Sequence, residues 1–165
     1  MSKILVSVLM GSKSDWGIMQ ETSLILEKFD IPHEVRALSA HRTPDALFDY
    51  LKSAEHQGVE LFIAAAGGAA HLPGVIAAKT LLPVLGVPMP SSTFVNGIDA
   101  LLSIVQMPAG IPVGTFAVGK AGAINAGIMA AQILGNKYPK FREAVQEHRQ
   151  AQARQVLENS IIRNE

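Results

Sequence analysis

Two histidines stand in turns just ahead of helical patterns, His41 in Ser39-Ala40-His41-Arg42-Thr43-Pro44 and His71 in Gly67-Gly68-Ala69-Ala70-His71-Leu72-Pro73. An imidazole titrates near neutral pH and can serve as acid or base, and a guanidinium beside it can grip a phosphate or carboxylate. The first turn therefore offers a hydroxyl, an imidazole and a guanidinium together. It reads equally well as a capped helix start carrying two solvated charges. In the second turn, Gly67 and Gly68 let backbone approach a ligand closely, and Ala69 and Ala70 could wall a dry pocket. His71 alone also suits a structural role. A third turn, Gly11-Ser12-Lys13-Ser14-Asp15, puts two hydroxyls and free N–H groups at a helix N-terminus, a ready anion site. Ser14 and Asp15 would serve there as N-cap and dipole partner as well.

Several chemistries are disfavoured. The Gly11–Asp15 turn lacks the glycines of a Walker loop or a dinucleotide fingerprint, and no acidic residue closes the second strand to hold a ribose. There is no cysteine, and the five histidines show no paired spacing with Asp or Glu, so a metal site is not expected. His33, His56 and His148 read as surface residues. Net charge is zero with no basic run, which argues against nucleic acid and anionic membrane as partners. No apolar run approaches the roughly 18 residues of a membrane span, and Ile4–Met10 is short for a signal peptide, so a cytoplasmic location is expected. Charged residues make up 17% against a typical share of roughly 25%. With a mean hydropathy of +0.25, that is too little charge to coat a monomer, and a homo-oligomer is expected.

These turns must be positioned by an alternation of strands and helices. Ile4 to Met10 reads as a strand buried on both faces. A helix from Trp16 to Phe29 follows, with Ile18, Leu24, Ile25 and Phe29 inward. Glu34 to Leu38 is the second strand, and Pro44 opens a helix to Gln57 where its missing N–H costs nothing. Val59 to Ala66 is the third strand, followed by a short helix from Gly74 to Thr80. Pro83 to Val87 is a short fourth strand, Pro88 to Asn96 a loop, and Gly97 to Gln106 a helix. Val113 to Val118 is the fifth strand, followed by a Gly/Ala-rich helix from Ala121 to Leu134. The 165 residues thus form one domain, a three-layer αβα sandwich on a parallel five-stranded sheet. Right-handed crossovers favour the flavodoxin-like order 2-1-3-4-5. In that order the first and third turns flank a switch-point crevice at the carboxyl edge, and the second turn can enter it. A last helix, about 137–157, is too polar after Val145 to pack wholly on its own domain. It is expected to reach a neighbouring subunit or to fray.

Met10–Asp15, Ser39–Pro44 and Ala66–Gly74 closely resemble the three motifs of the N5-carboxyaminoimidazole ribonucleotide mutase family of purine biosynthesis. Pro83–Pro88, Ser103–Pro108 and Gly110–Thr115 also look like family segments, so the likeness runs from Ile4 to about Leu157. It implies a homo-octamer and a cofactor-free reaction that moves a carboxylate from an exocyclic amine to ring carbon C4. It further implies His41 as the general acid–base, with His71 orienting the base or its carboxylate. Ser12, Ser14, Ser39 and Arg42 would take the 5′-phosphate, Asp15 the ribose, and the Gly67–Ala70 wall would confine carbon dioxide. A sister class that carboxylates aminoimidazole ribonucleotide directly carries Lys-Gly where this chain has Arg42-Thr43, which favours the mutase. The direct carboxylase and a non-catalytic nucleotide-binding module remain the competing readings.

Overall fold

The computed structural model describes residues 3–91 and 95–162. Five strands, β1 (Val6–Met10), β2 (His33–Ala37), β3 (Leu61–Gly67), β4 (Val84–Met89) and β5 (Gly114–Thr115), pair in parallel in the order β2-β1-β3-β4-β5. Among the described residues six α-helices alternate with and follow them: α1 (Trp16–Lys28), α2 (Pro44–Gln57), α3 (Leu72–Ala77), α4 (Ile98–Val105), α5 (Lys120–Leu134) and α6 (Pro139–Glu158). This is the expected flavodoxin-like αβα sandwich. No helix among the described residues is long and apolar enough to cross a membrane.

The period-two pleat divides each central strand between two cores. Val6, Val8, Met10, Leu61, Ile63 and Ala65 pack beneath α1, α5 and α6, while Leu9, Phe62, Ala64 and Ala66 pack beneath α2, α3 and α4. Small residues bring α1 and α5 close together. A Cβ on Gly127 would stand 2.9 Å from a methyl of Ile25, and Thr22 Oγ1 donates to the Ala123 carbonyl across the contact at 2.8 Å.

Several elements depart from the sequence reading. On α1, Phe29 is buried and Ile18 and Ile25 pack half-buried against the core as expected, but Leu24 is 56% exposed and the fully buried helix residues are Met19, Thr22, Ser23 and Leu26. The apolar residues flank a stripe whose centre is polar, because the hydroxyls of Thr22 and Ser23 find partners inside. β5 is two residues long instead of six, pairing only at Leu85–Gly114 and Gly86–Thr115. α3 begins at Leu72, with Pro73 inside its first turn. His33 and His148 are half-buried. His33 Nε2 lies 2.6 Å from Ser23 Oγ, and His148 Nδ1 lies 2.9 Å from Lys28 Nζ. His56 is exposed, as expected. Part of the expected 88–96 loop lies outside the described residues, and its start, Pro88–Met89, belongs to β4.

Candidate active site

The chain leaves β1, β2 and β3 at the same edge, and backbone hydrogen bonds tie the exits together. Leu38 N–H donates to the Met10 carbonyl at 2.9 Å, and Gly11 N–H to the Ala65 carbonyl at 3.3 Å. All three expected turns therefore meet. They line a pocket of about 340 Å³ that includes Gly11, Ser12, Asp15, His41, Arg42 and Gly67. Ser39, Ala40, Ala66, Ala69 and Leu72 complete its wall.

His41 and His71, thirty residues apart in the chain, are in direct contact. His41 Nε2 lies 2.9 Å from His71 Nδ1, with the rings edge-on and their centroids 5.0 Å apart. One ring donates and the other accepts, so the two tautomers are coupled. His71 stands on the far side of this contact, where it also lines a smaller apolar hollow with Ala70, Val75, Ser103 and Met107.

Arg42 spans two turns. Its Nη2 donates to the Gly11 carbonyl at 2.7 Å, and its Nε approaches Ser39 Oγ at 3.4 Å. Those bonds fix the guanidinium over the pocket mouth while leaving N–H groups unused on a fork that has five. Ser39 Oγ accepts from the N–H groups of His41 at 3.3 Å and Arg42 at 3.2 Å, which keeps its own proton free for a ligand.

In the first turn the capping residue is Ser12 rather than Ser14 or Asp15. Its hydroxyl accepts from Ser14 N–H at 3.3 Å, and Asp15, at the N-cap of α1, makes no side-chain cap bond. Burial pushes the Asp15 carboxyl above its ordinary value, and the Ser12 backbone, Ser14 and Arg42 oppose that shift. Ser14, exposed, donates to Ser12 Oγ at 2.9 Å and does not line the pocket.

Gly68 sits at φ +59°, a conformation that L side chains rarely adopt. It bends the chain behind the pocket and does not line it, whereas Gly67 does. Thr43 entered the sequence analysis only through the Arg42-Thr43 pair, and its hydroxyl went unread because a threonine ahead of Pro44 looks like an ordinary helix cap. A larger groove of about 630 Å³ between α5 and α6 holds none of these groups. Among the described residues, no three His, Asp or Glu side chains gather as a metal site would need.

A parallel αβα sheet with an imidazole pair, a carboxyl group and a guanidinium over its carboxyl edge places the chain among flavodoxin-like domains with a polar small-molecule pocket. Residues 5–155 match the family model described as AIR carboxylase, and the chain belongs to that family. It is 59% identical over 155 residues to the N5-carboxyaminoimidazole ribonucleotide mutase of Pseudomonas aeruginosa, covering 94% of each chain. It is 56% identical to the Escherichia coli K12 protein of that name (93% of this chain, 90% of the relative). With the Bacillus subtilis one it shares 51% identity (94% and 96%). Among solved structures, Treponema denticola PurE superposes with a TM-score of 0.85 at 29% identity, covering 94% of this chain and 95% of that one.

Proposed function

We propose that this chain converts N5-carboxyaminoimidazole ribonucleotide to 4-carboxy-5-aminoimidazole ribonucleotide in purine biosynthesis, without a cofactor. The observation that carries this reading is the His41–His71 contact beside a pocket that all three turns line. Relatives more than half identical over nearly the whole chain carry the mutase name.

In this reading protonated His41 faces the exocyclic nitrogen. The nitrogen–carboxylate bond breaks, its electrons stay on nitrogen, His41 supplies the proton, and carbon dioxide is released into the pocket. Ring carbon C4, made nucleophilic by the amine, attacks that carbon dioxide. As the carbon–carbon bond forms, the C4 proton passes to His41, which restores the starting protonation. A single residue that both gives and takes a proton must pass between its charged and neutral forms, and a His41 Nε2–H donated to His71 throughout leaves the other ring nitrogen to do so. His71, on the far side of the contact, orients His41.

Arg42 and the hydroxyls of Ser12 and Ser39 bind the 5′-phosphate, Ser14 supports Ser12 from outside the pocket, and Asp15 accepts from the ribose hydroxyls. Gly67 brings backbone close, and Ala66 and Ala69 wall the pocket so that carbon dioxide is recaptured faster than it escapes. Substrate labelled in its carboxylate is expected to pass most of the label to the C4 product in the presence of excess unlabelled bicarbonate. Full washout, with fast carboxylation of aminoimidazole ribonucleotide at low bicarbonate, would instead identify a direct carboxylase.

The proposal extends to a cytoplasmic homo-octamer whose subunits meet in part through the outer half of α6. Every residue from 149 to 162 is exposed, including Val156, Leu157, Ile161 and Ile162 at 70% or more. α4 also leaves Ile98, Leu102 and Val105 about half exposed along one stripe. Light scattering that returned a stable 17.6 kDa particle would refute the assembly.

A further inference from the structure

Thr43 occupies the N-cap of α2, where a threonine hydroxyl ordinarily accepts from an amide of the first helical turn. It makes no such bond. Its Oγ1 turns back instead, accepting from Ser39 N–H at 2.9 Å and donating to the Ser39 carbonyl at 3.1 Å. Thr43 N–H donates to that same carbonyl at 2.9 Å. The loop 39–43 is thereby closed on itself directly after β2. Inside the closed loop, Ser39 Oγ gathers the amides of His41 and Arg42. Burial contributes little here, because His41, Arg42 and Thr43 are all exposed. Hydrogen bonds, rather than packing, fix the backbone from which the His41 ring reaches His71.

Resting on the mutase reading, we propose that Thr43 is a positioning residue for the reaction. Its hydroxyl clasps both backbone groups of Ser39 and so holds the His41 ring against His71 and over the pocket. The hydroxyl is withdrawn from helix capping to do so, while Pro44, which has no N–H, already leaves one fewer unsatisfied donor at this helix start.

Thr43→Val keeps the β-branched shape and deletes the hydroxyl, whereas Thr43→Ser keeps the hydroxyl. A misplacement of about 1 Å can cost up to roughly 10²-fold in rate. Thr43→Val is therefore expected to lower kcat about ten- to a hundred-fold while KM stays within about three-fold. Thr43→Ser should restore kcat to within about three-fold of the unmodified protein. A crystal structure of Thr43→Val is expected to show His41 and His71 out of hydrogen-bond reach. An unchanged kcat in Thr43→Val, or an equal loss in Thr43→Ser, overturns the proposal. Should Thr43→Val fold poorly, Thr43→Ala is read in the same way. If the unmodified protein does not turn over the carboxylated amine, the mutase reading fails on its own. The clasp is then judged by the histidine separation in the variant crystal, and an unchanged separation sinks it.

Discussion

At the sheet edge, His41 Nε2 lies 2.9 Å from a nitrogen of His71, and the two rings meet edge-on. On the α1–α6 layer, His148 Nδ1 lies 2.9 Å from Lys28 Nζ, and its ring meets Phe29 edge-on with centroids 5.5 Å apart. The two geometries match closely, but the partners differ. An imidazole facing an imidazole can trade donor and acceptor roles, and a proton can pass through the pair. An imidazole facing an ammonium must stay neutral to accept from it. Burial first, and Lys28 second, accordingly push the His148 ring below its ordinary value. Its Nε2 is buried without a partner among the described residues. Distance and ring angle therefore do not distinguish the two histidines. The charge of the neighbour and access to a pocket do.

The cations beside the two histidines extend the comparison. Arg42 is held by the Gly11 carbonyl and keeps donors over the pocket, whereas Lys28 directs its ammonium at His148 itself.

The largest expected effect breaks the first pair. His41→Asn is expected to leave the fold intact, by circular dichroism, and to lower kcat by roughly 10²–10⁴-fold, the usual contribution of general acid–base catalysis. Near-full activity would move the base to His71. The matching substitution at the other pair, His148→Gln, is expected to leave kcat and KM unchanged.

A smaller effect tests the cations. Arg42→Ala loses charge-assisted hydrogen bonds worth roughly 1.5–3 kcal/mol, so KM for the ribonucleotide should rise about ten- to a hundred-fold. The same variant frees the Gly11 carbonyl, so some loss of kcat is expected too. Unchanged steady-state constants would assign the phosphate to the Ser12–Ser14 turn alone. Lys28→Met should leave both constants as they are.

The smallest effect is a pH dependence of stability at the second pair. Because the folded-state pKa of His148 lies below its unfolded value, near 6.5, its stabilising contribution is complete above about pH 6.5. It is lost as pH falls through the folded value, since the unfolded chain takes up the proton first. Melting curves between about pH 7.5 and 5 should show a fall in Tm that is about one or two degrees smaller in His148→Gln than in the unmodified protein. Lys28→Met should shrink it by less, because it relieves the ammonium but not the burial. Identical pH profiles in all three proteins would mean that the His148–Lys28 contact is absent in solution.

The strand order was legible in the chain because a parallel αβα sheet writes it in simple signs. Apolar runs mark strands buried on both faces, and proline and glycine mark where each helix starts or stops. That Ser12, Asp15, Ser39, His41, Arg42 and Gly67 would share one pocket was legible for the same reason, since they fall where a strand hands over to a helix at one edge. What the chain could not express was phase and partnership. The inward face of α1 depends on where the buried hydroxyls of Thr22 and Ser23 find partners, which helical periodicity does not encode. The shortness of β5 depends on how far β4 can pair with it. The contrast between His41 and His148 is set by groups 30 and 120 residues away. The task of the Thr43 hydroxyl is set by which way the loop closes. Local sequence carries periodicity and turn chemistry, because those depend on neighbours along the chain. Tautomer, proton affinity and the direction of a hydroxyl depend on neighbours in space, and only the packed fold supplies them.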